Sequence, residues 1–186
     1  VKKNHSKYKL AASIKKLMEQ KSLEKLTVKE IVSLAGVTRQ TFYRNFNDKY
    51  DLVNWYFDVL AKECFEQMGI SLSMREGLIH KYDFIRKEAV FFSQAFKSSD
   101  YNSIKEHDYQ FILSFYTNLI EKKTKRPLDE DIQFLLEMYC HGSIAMTVEW
   151  AINGMQKTSE MMADSLIEAL PIKLSELLHP VLVKNI

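Results

Sequence analysis

Thr38, Arg39, Gln40 and Thr41 stand in unbroken succession, and their side chains suit one kind of chemistry. A guanidinium pairs with guanine O6 and N7 through two N–H donors, and a primary amide pairs with adenine N6 and N7 in the same two-point way. Threonine hydroxyls donate and accept at base edges or phosphates. A few residues on, Tyr43, Asn45 and Lys49 offer a phenol, an amide and an ammonium. Such groups hold phosphate oxygens, which fixes register and strength rather than sequence choice. The combination points to double-stranded DNA as partner.

Charge is divided in the same sense. Residues 1–50 carry 12 Lys/Arg against 4 Asp/Glu, and residues 51–186 carry 14 against 20. A compact positive head on an acidic body suits a polyanion.

The elements that must position these groups follow from local signals. Leu10, Ile14, Leu17 and Met18 form one apolar stripe, with Lys7, Lys9, Lys15, Lys16 and Lys21 on the other faces, so the spacing predicts a first helix of about 16 residues. Thr27-Val28-Lys29-Glu30 is a capping box that opens a second helix, with Val28, Ile31, Val32 and Ala35 facing inward, and Thr27 is in addition a candidate contact to a DNA phosphate. Gly36 ends it, because glycine takes a left-handed C′ conformation without steric cost. Thr38 caps a short third helix, and Phe42 and Phe46 lie one turn apart toward the core. Two short helices joined by a Gly-containing turn are the geometry of a helix-turn-helix, whose second helix enters the major groove.

Asn47-Asp48 breaks the third helix and caps a long fourth one carrying Leu52, Trp55, Tyr56, Val59, Leu60 and Phe65, with an end expected at Gly69. Ser98-Ser99-Asp100 reads as a loop, and Lys122 to Pro127 as a basic connection. Helices are expected from about Asp129 to Asn153 and from Ser159 to Leu178, with Pro171 kinking or interrupting the last. No segment alternates at period two for long enough to make a sheet. The expected fold is all-α: a three-helix head, residues 1–47, followed by a helical effector and dimerisation body, residues 48–186.

Other chemistries find little support. His80, His107, His141 and His179 are scattered, and neither they nor Cys64 and Cys140 repeat at a zinc-site spacing. No phosphate loop, nucleophile elbow or HExxH is present. No catalytic residue, metal or cofactor is therefore expected. No stretch approaches 18 uninterrupted apolar residues, so no membrane association is expected, and the polar, basic start resembles no secretory signal. Two cysteines without a framework make a cytoplasmic setting the expectation.

Thr27–Leu52 also resembles the tetracycline-repressor (TetR) family of bacterial regulators. The likeness is carried by Thr27-Val28, Ile31-Val32, Ala35-Gly36-Val37-Thr38, Thr41, Phe42-Tyr43, Phe46, Lys49 and Leu52 at continuous spacing, and it covers about residues 8–55. It implies that Thr41, Tyr43, Asn45 and Lys49 contact DNA. Asn45 departs from the histidine frequent at that place. The resemblance further implies a homodimer whose last two long helices make a four-helix bundle with the partner. Segments 129–153 and 159–178 match that pair, with Leu135, Tyr139, Gly142, Met146, Trp150, Leu166 and Leu170 as interface candidates. Dimerisation also follows from two heads reading the half-sites of a pseudo-palindromic operator.

The stretch from His80 to Tyr116 is rich in aromatics, among them Tyr82, Phe84, Phe91, Phe92, Phe96, Tyr101 and Tyr109. These suit either an ordinary core or the lining of a small-molecule effector pocket. Lys81-Tyr82-Asp83-Phe84-Ile85, Phe91-Phe92 and Glu149-Trp150-Ala151-Ile152-Asn153-Gly154 resemble the TetR subgroup that includes the activator of dihydroxyacetone-kinase genes. There the response runs through a protein partner related to the kinase subunit. That resemblance leaves open a second reading, in which the body is an interaction module recruiting an enzyme-like partner to DNA.

Overall fold

The computed structural model describes residues 2–65, 68, 72–100 and 102–182. The expected helix end at Gly69 and the aromatic Tyr101 lie outside the described residues, as do the side chains of Cys64 and His179. Among the described residues there are ten α-helices, one 3₁₀ turn and no strand, only an isolated bridge between Met68 and Leu72.

The head comprises α1 (Lys2–Met18), the 3₁₀ turn Leu23–Lys25, α2 (Val28–Ala35) and α3 (Arg39–Tyr43). Leu10, Ile14, Met18, Leu23, Ile31 and Phe42 are buried together, which is the stripe-on-stripe packing their spacing predicts. Phe42 and Phe46 lie 5.9 Å apart, and Phe46 meets Trp55 of α4 (Lys49–Phe65) at 5.7 Å. Lys7 Nζ sits over both the Phe46 and Trp55 rings, so α1 covers the joint between α3 and α4.

In the body, α4 packs on α5 (Met74–Lys87) and α7 (Ile104–Thr124), α5 packs on α9 (Ser159–Glu168), and α6 (Ala89–Phe96) and α7 both pack on α8 (Glu130–Ile152). Pro171 separates α9 from α10 (Ile172–Leu182), the interruption its missing donor predicts. Of the two uses open to the aromatic stretch, Tyr82, Phe91, Phe92, Phe96 and Tyr116 are fully buried core. They meet one another and their neighbours mostly edge to face, for example Phe91 on Tyr56 and Tyr82 on Trp150, each at 5.2 Å. α1 reaches past α4 to touch α6, so the head rests directly on the body.

Candidate nucleic-acid interface

Two hydroxyl caps shape the working end of the head. Thr27 Oγ1 accepts from the Glu30 amide at 3.3 Å, while Glu30 Oε2 accepts from the Thr27 amide at 2.8 Å and the Thr27 hydroxyl at 2.7 Å. Lys21 Nζ donates to the other carboxylate oxygen at 2.7 Å. These bonds, that from Lys21 foremost and those from Thr27 next, hold the Glu30 carboxyl down at about 2. Gly36 takes φ +64°, and Val37 N–H reaches back to the Val32 carbonyl at 3.1 Å. The chain thereby turns sharply enough to start α3 two residues later.

Thr38 Oγ1 accepts from the Thr41 amide at 3.1 Å and lies 3.0 Å from the Thr41 hydroxyl. The cap thus fixes the first turn of α3, which carries Arg39 and Gln40. Both are exposed, and neither side chain has a hydrogen bond or ion pair among the described residues. Tyr43 is 58% exposed, its ring edge-on to Phe42. An exposed guanidinium, amide and phenol on a short helix pinned from behind by Phe42 and Phe46 make a surface able to enter a groove.

Two side chains expected at phosphates are turned into the head instead. The Asn45 amide donates to the Thr41 carbonyl at 2.7 Å, and its Oδ1 is buried without a partner among the described residues. Lys49 Nζ donates to the Glu24 carbonyl at 2.7 Å and the Leu26 carbonyl at 3.0 Å, closing the end of the 3₁₀ turn. Those carbonyls lack intrahelical donors, and the ammonium supplies them. Burial pulls the Lys49 pKa downward. Sequence reasoning passed over Arg44, which is exposed and without an intramolecular partner among the described residues. Its signal was available: two residues past the inward Phe42 lies the opposite face of the helix.

The interface candidates of the body divide as well. Tyr139, Trp150, Leu166 and Leu170 are buried within the chain; Tyr139 Oη donates to the Leu166 carbonyl and Trp150 Nε1 to the Lys157 carbonyl, both at 3.0 Å. Leu135 is half-buried, and Gly142 and Met146 are exposed. Phe134 and Met138, not singled out from the sequence, are 65% and 54% exposed. With Gly142 and Met146 they make a stripe at spacing four along α8, one face of a helix. Beside it runs a groove of about 250 Å³, lined by Met138, Tyr139, Gly142, Met146, Leu166 and Pro171 among others.

Among the described residues no group of three or more His, Cys, Asp or Glu is placed to hold a metal, and no helix is long and apolar enough to cross a membrane.

Comparison with known proteins bears on both parts. A family model described as bacterial regulatory proteins, tetR family, matches residues 10–54, and one described as transcriptional regulator C-terminal region matches residues 73–171. The HTH-type dhaKLM operon transcriptional activator DhaS of Lactococcus lactis subsp. lactis (strain IL1403) is 23% identical over 113 residues, 61% of this chain. The match spans 57% of that relative's length. A solved structure, that of the dihydroxyacetone kinase operon activator DhaS, agrees with a TM-score of 0.62 at 20% identity, covering 92% of this chain and 97% of the other. At that identity the agreement is one of fold.

Proposed function

Since the chain belongs to the TetR family of bacterial transcriptional regulators, rather than to an enzyme family, we propose that it acts as a homodimer on a pseudo-palindromic operator. Arg39, Gln40 and Thr41 address base edges. Tyr43 and Arg44 address phosphates, while Thr27 and Thr38 cap the two helices and present their amides to the backbone. Asn45 and Lys49 contribute by holding α3 and the 3₁₀ turn in place. The observation that carries this reading is the exposed, unpartnered Arg39–Gln40 pair at the start of a helix rigidly capped by Thr38. Residues 1–47 serve as the DNA-binding head and residues 48–186 as the regulatory and dimerisation body.

Dimerisation is assigned to the α8 stripe with α9 and α10 beside it. Phe134, Met138 and Met146 are three large exposed apolar groups on one face of α8, with the groove to Leu166 and Pro171 beside them, more than suits an unpartnered face. A two-fold partner there holds two heads about 34–36 Å apart, one turn of DNA.

Repeated selection of random duplexes by the purified chain tests the assignment. Enrichment of a pseudo-palindrome, bound as one dimer, is expected. Recovery of no common sequence, or equal binding to single-stranded RNA, would remove it.

The body receives the controlling signal, from a small-molecule effector or a protein partner. The likeness to a kinase-operon activator favours an enzyme-like protein partner as the second reading. Co-purification of one such protein, with operator binding unchanged by metabolites, is its signature.

A further inference from the structure

The connection between α8 and α9 bends through two successive left-handed residues. Gly154 takes φ +85° and Met155 φ +54°, and for a side chain such as methionine that conformation is strained. Hydrogen bonds hold the bend in place. Met155 N–H donates to the Trp150 carbonyl at 2.9 Å, and the Lys157 carbonyl accepts from Trp150 Nε1 at 3.0 Å and from Arg86 at 2.6 Å. The Arg86 guanidinium also stands 5.4 Å from the centre of the Trp150 ring, which Tyr82 meets edge-on. The bend is thus pinned from α5 and α8 together.

A hollow of about 220 Å³ opens between this bend, the end of α8 and the start of α9. The buried Trp150 and Met162 floor it, and the exposed Met146 stands at its edge. The rest of its lining is polar and exposed: Glu149, Asn153, Gln156 and Lys157. None of these four side chains has a hydrogen bond or ion pair among the described residues. Glu149 and Lys157 therefore share one hollow without pairing with each other. An exposed ion pair gains little by closing, so both charges remain open to a third group.

We infer that this hollow binds a free α-amino acid with an apolar side chain. Glu149 takes the ammonium, Lys157 the carboxylate, and the amides of Asn153 and Gln156 the polar atoms left over, while the side chain lies on Trp150 and Met162. The volume falls below the roughly 300–1,000 Å³ of sites for larger ligands and suits a metabolite of this size. A simple carboxylic acid would set its charge beside Glu149 with nothing to answer that residue, and an amine would do the same beside Lys157. An unmet charge of this kind is how a site rejects a near relative of its ligand. A sugar has no charge for either residue. Met146 belongs also to the α8 stripe assigned to dimerisation, so an occupant borders the contact between two copies. That consequence rests on the dimer reading above; the binding itself does not.

The test titrates the full chain with L-leucine, L-leucinamide, 4-methylpentanoate and glycine, following the Trp150 indole and the Asn153 and Gln156 side-chain amides by proton–nitrogen NMR. Leucinamide lacks the carboxylate, 4-methylpentanoate the ammonium and glycine the side chain. Leucine should give saturable shifts and bind at least about tenfold tighter than each of the others, as fits the loss of one bond to a charged group or of one apolar side chain. Glu149→Gln should erase the advantage of leucine over 4-methylpentanoate, and Lys157→Met its advantage over leucinamide. Neither side chain has a bond within the chain to lose, so both variants keep the fold. No saturable shift with leucine, an analogue that binds as tightly, or advantages that survive the two substitutions would each overturn the inference. Sedimentation velocity of the ligand-free chain reports on the dimer reading alone.

Discussion

Lys15 of α1 and Glu88 at the junction of α5 and α6 meet at 2.5 Å, tying the DNA-binding head to the body. Tyr56 of α4 joins them: its hydroxyl accepts from Lys15 at 3.0 Å and donates to Glu88 at 3.4 Å. Both charged side chains are mostly covered, at 29% and 17% exposure, so the pair is less screened than an ordinary surface ion pair. Burial disfavours the Lys15 ammonium, but the bonds to Glu88 and Tyr56 outweigh it and the pKa is raised. Glu88→Ala should lower the unfolding free energy by about 1–2 kcal/mol in urea titration. It should also shift operator affinity, although Glu88 lies in the body. Unchanged stability together with unchanged affinity would show that the tie is incidental.

Arg44 and Lys49 are expected to part company on mutation. Arg44→Ala should weaken binding to all sequences alike and reduce the slope of log affinity against log salt by about one, with no change in folding. Lys49→Ala removes two bonds to the carbonyls of Glu24 and Leu26. It should therefore destabilise the head by about 1–2 kcal/mol. Fluorescence anisotropy at several salt concentrations, alongside thermal melting, separates the two. A Lys49→Ala chain that melts normally but loses the salt slope would return Lys49 to the phosphates.

Glu30 makes the second helix sensitive to acid. Its carboxyl is held at about 2, against an ordinary value near 4.5. A carboxyl whose folded pKa is depressed stabilises the fold above its unfolded value, and that contribution is lost as pH falls through the folded value. The stability of the chain should thus decline between about pH 4.5 and 2, and Glu30→Gln should flatten that part of the profile. Identical melting profiles for the two chains across this range would deny the capping box its electrostatic role.

Gly142 allows folding and association to be told apart. A Cβ built there meets nothing within 4 Å in the single chain. Gly142→Ala should therefore leave the monomer fold intact and favour the helix by up to about 1 kcal/mol. If a facing helix approaches closely at this point, the same change weakens the dimer. Met138→Asp, on the same stripe, should dissociate it outright. Sedimentation velocity reads both, and a Met138→Asp chain that stays dimeric would move the interface elsewhere.

Cys140 is fully buried, and burial pushes its thiol up to about 12. In a Cys64→Ser background the folded chain should react with a disulfide reagent at neutral pH only as fast as it opens. Rapid modification in the absence of denaturant would mean that the α7–α8 packing around it is looser than the structure has it.

The head was readable residue by residue because its determinants are local. A hydroxyl three residues before a glutamate, a glycine at a helix end and two phenylalanines one turn apart each act within a turn or two of chain. Thr27, Gly36, Phe42 and Phe46 accordingly stand as their types and spacing require. The interruption at Pro171 was legible for the same reason. Lys49 was not, since whether an ammonium faces outward depends on which orphan carbonyl lies within reach, and Glu24 is 25 residues away from it; the Asn45 amide takes a carbonyl only four residues back, that of Thr41, a local choice its residue type does not reveal. Burial on α8 was equally a tertiary decision. The helix is apolar on more than one side, and only the packing of α6, α7 and α10 against it selects Tyr139 and Trp150 for the core and leaves Phe134, Met138 and Met146 outside. Sequence alone thus determined an all-helical regulator with a helix-turn-helix at residues 27–49. The tertiary structure decided which of its polar groups are free to meet DNA and which apolar face is left open, because both depend on contacts between elements far apart in the chain.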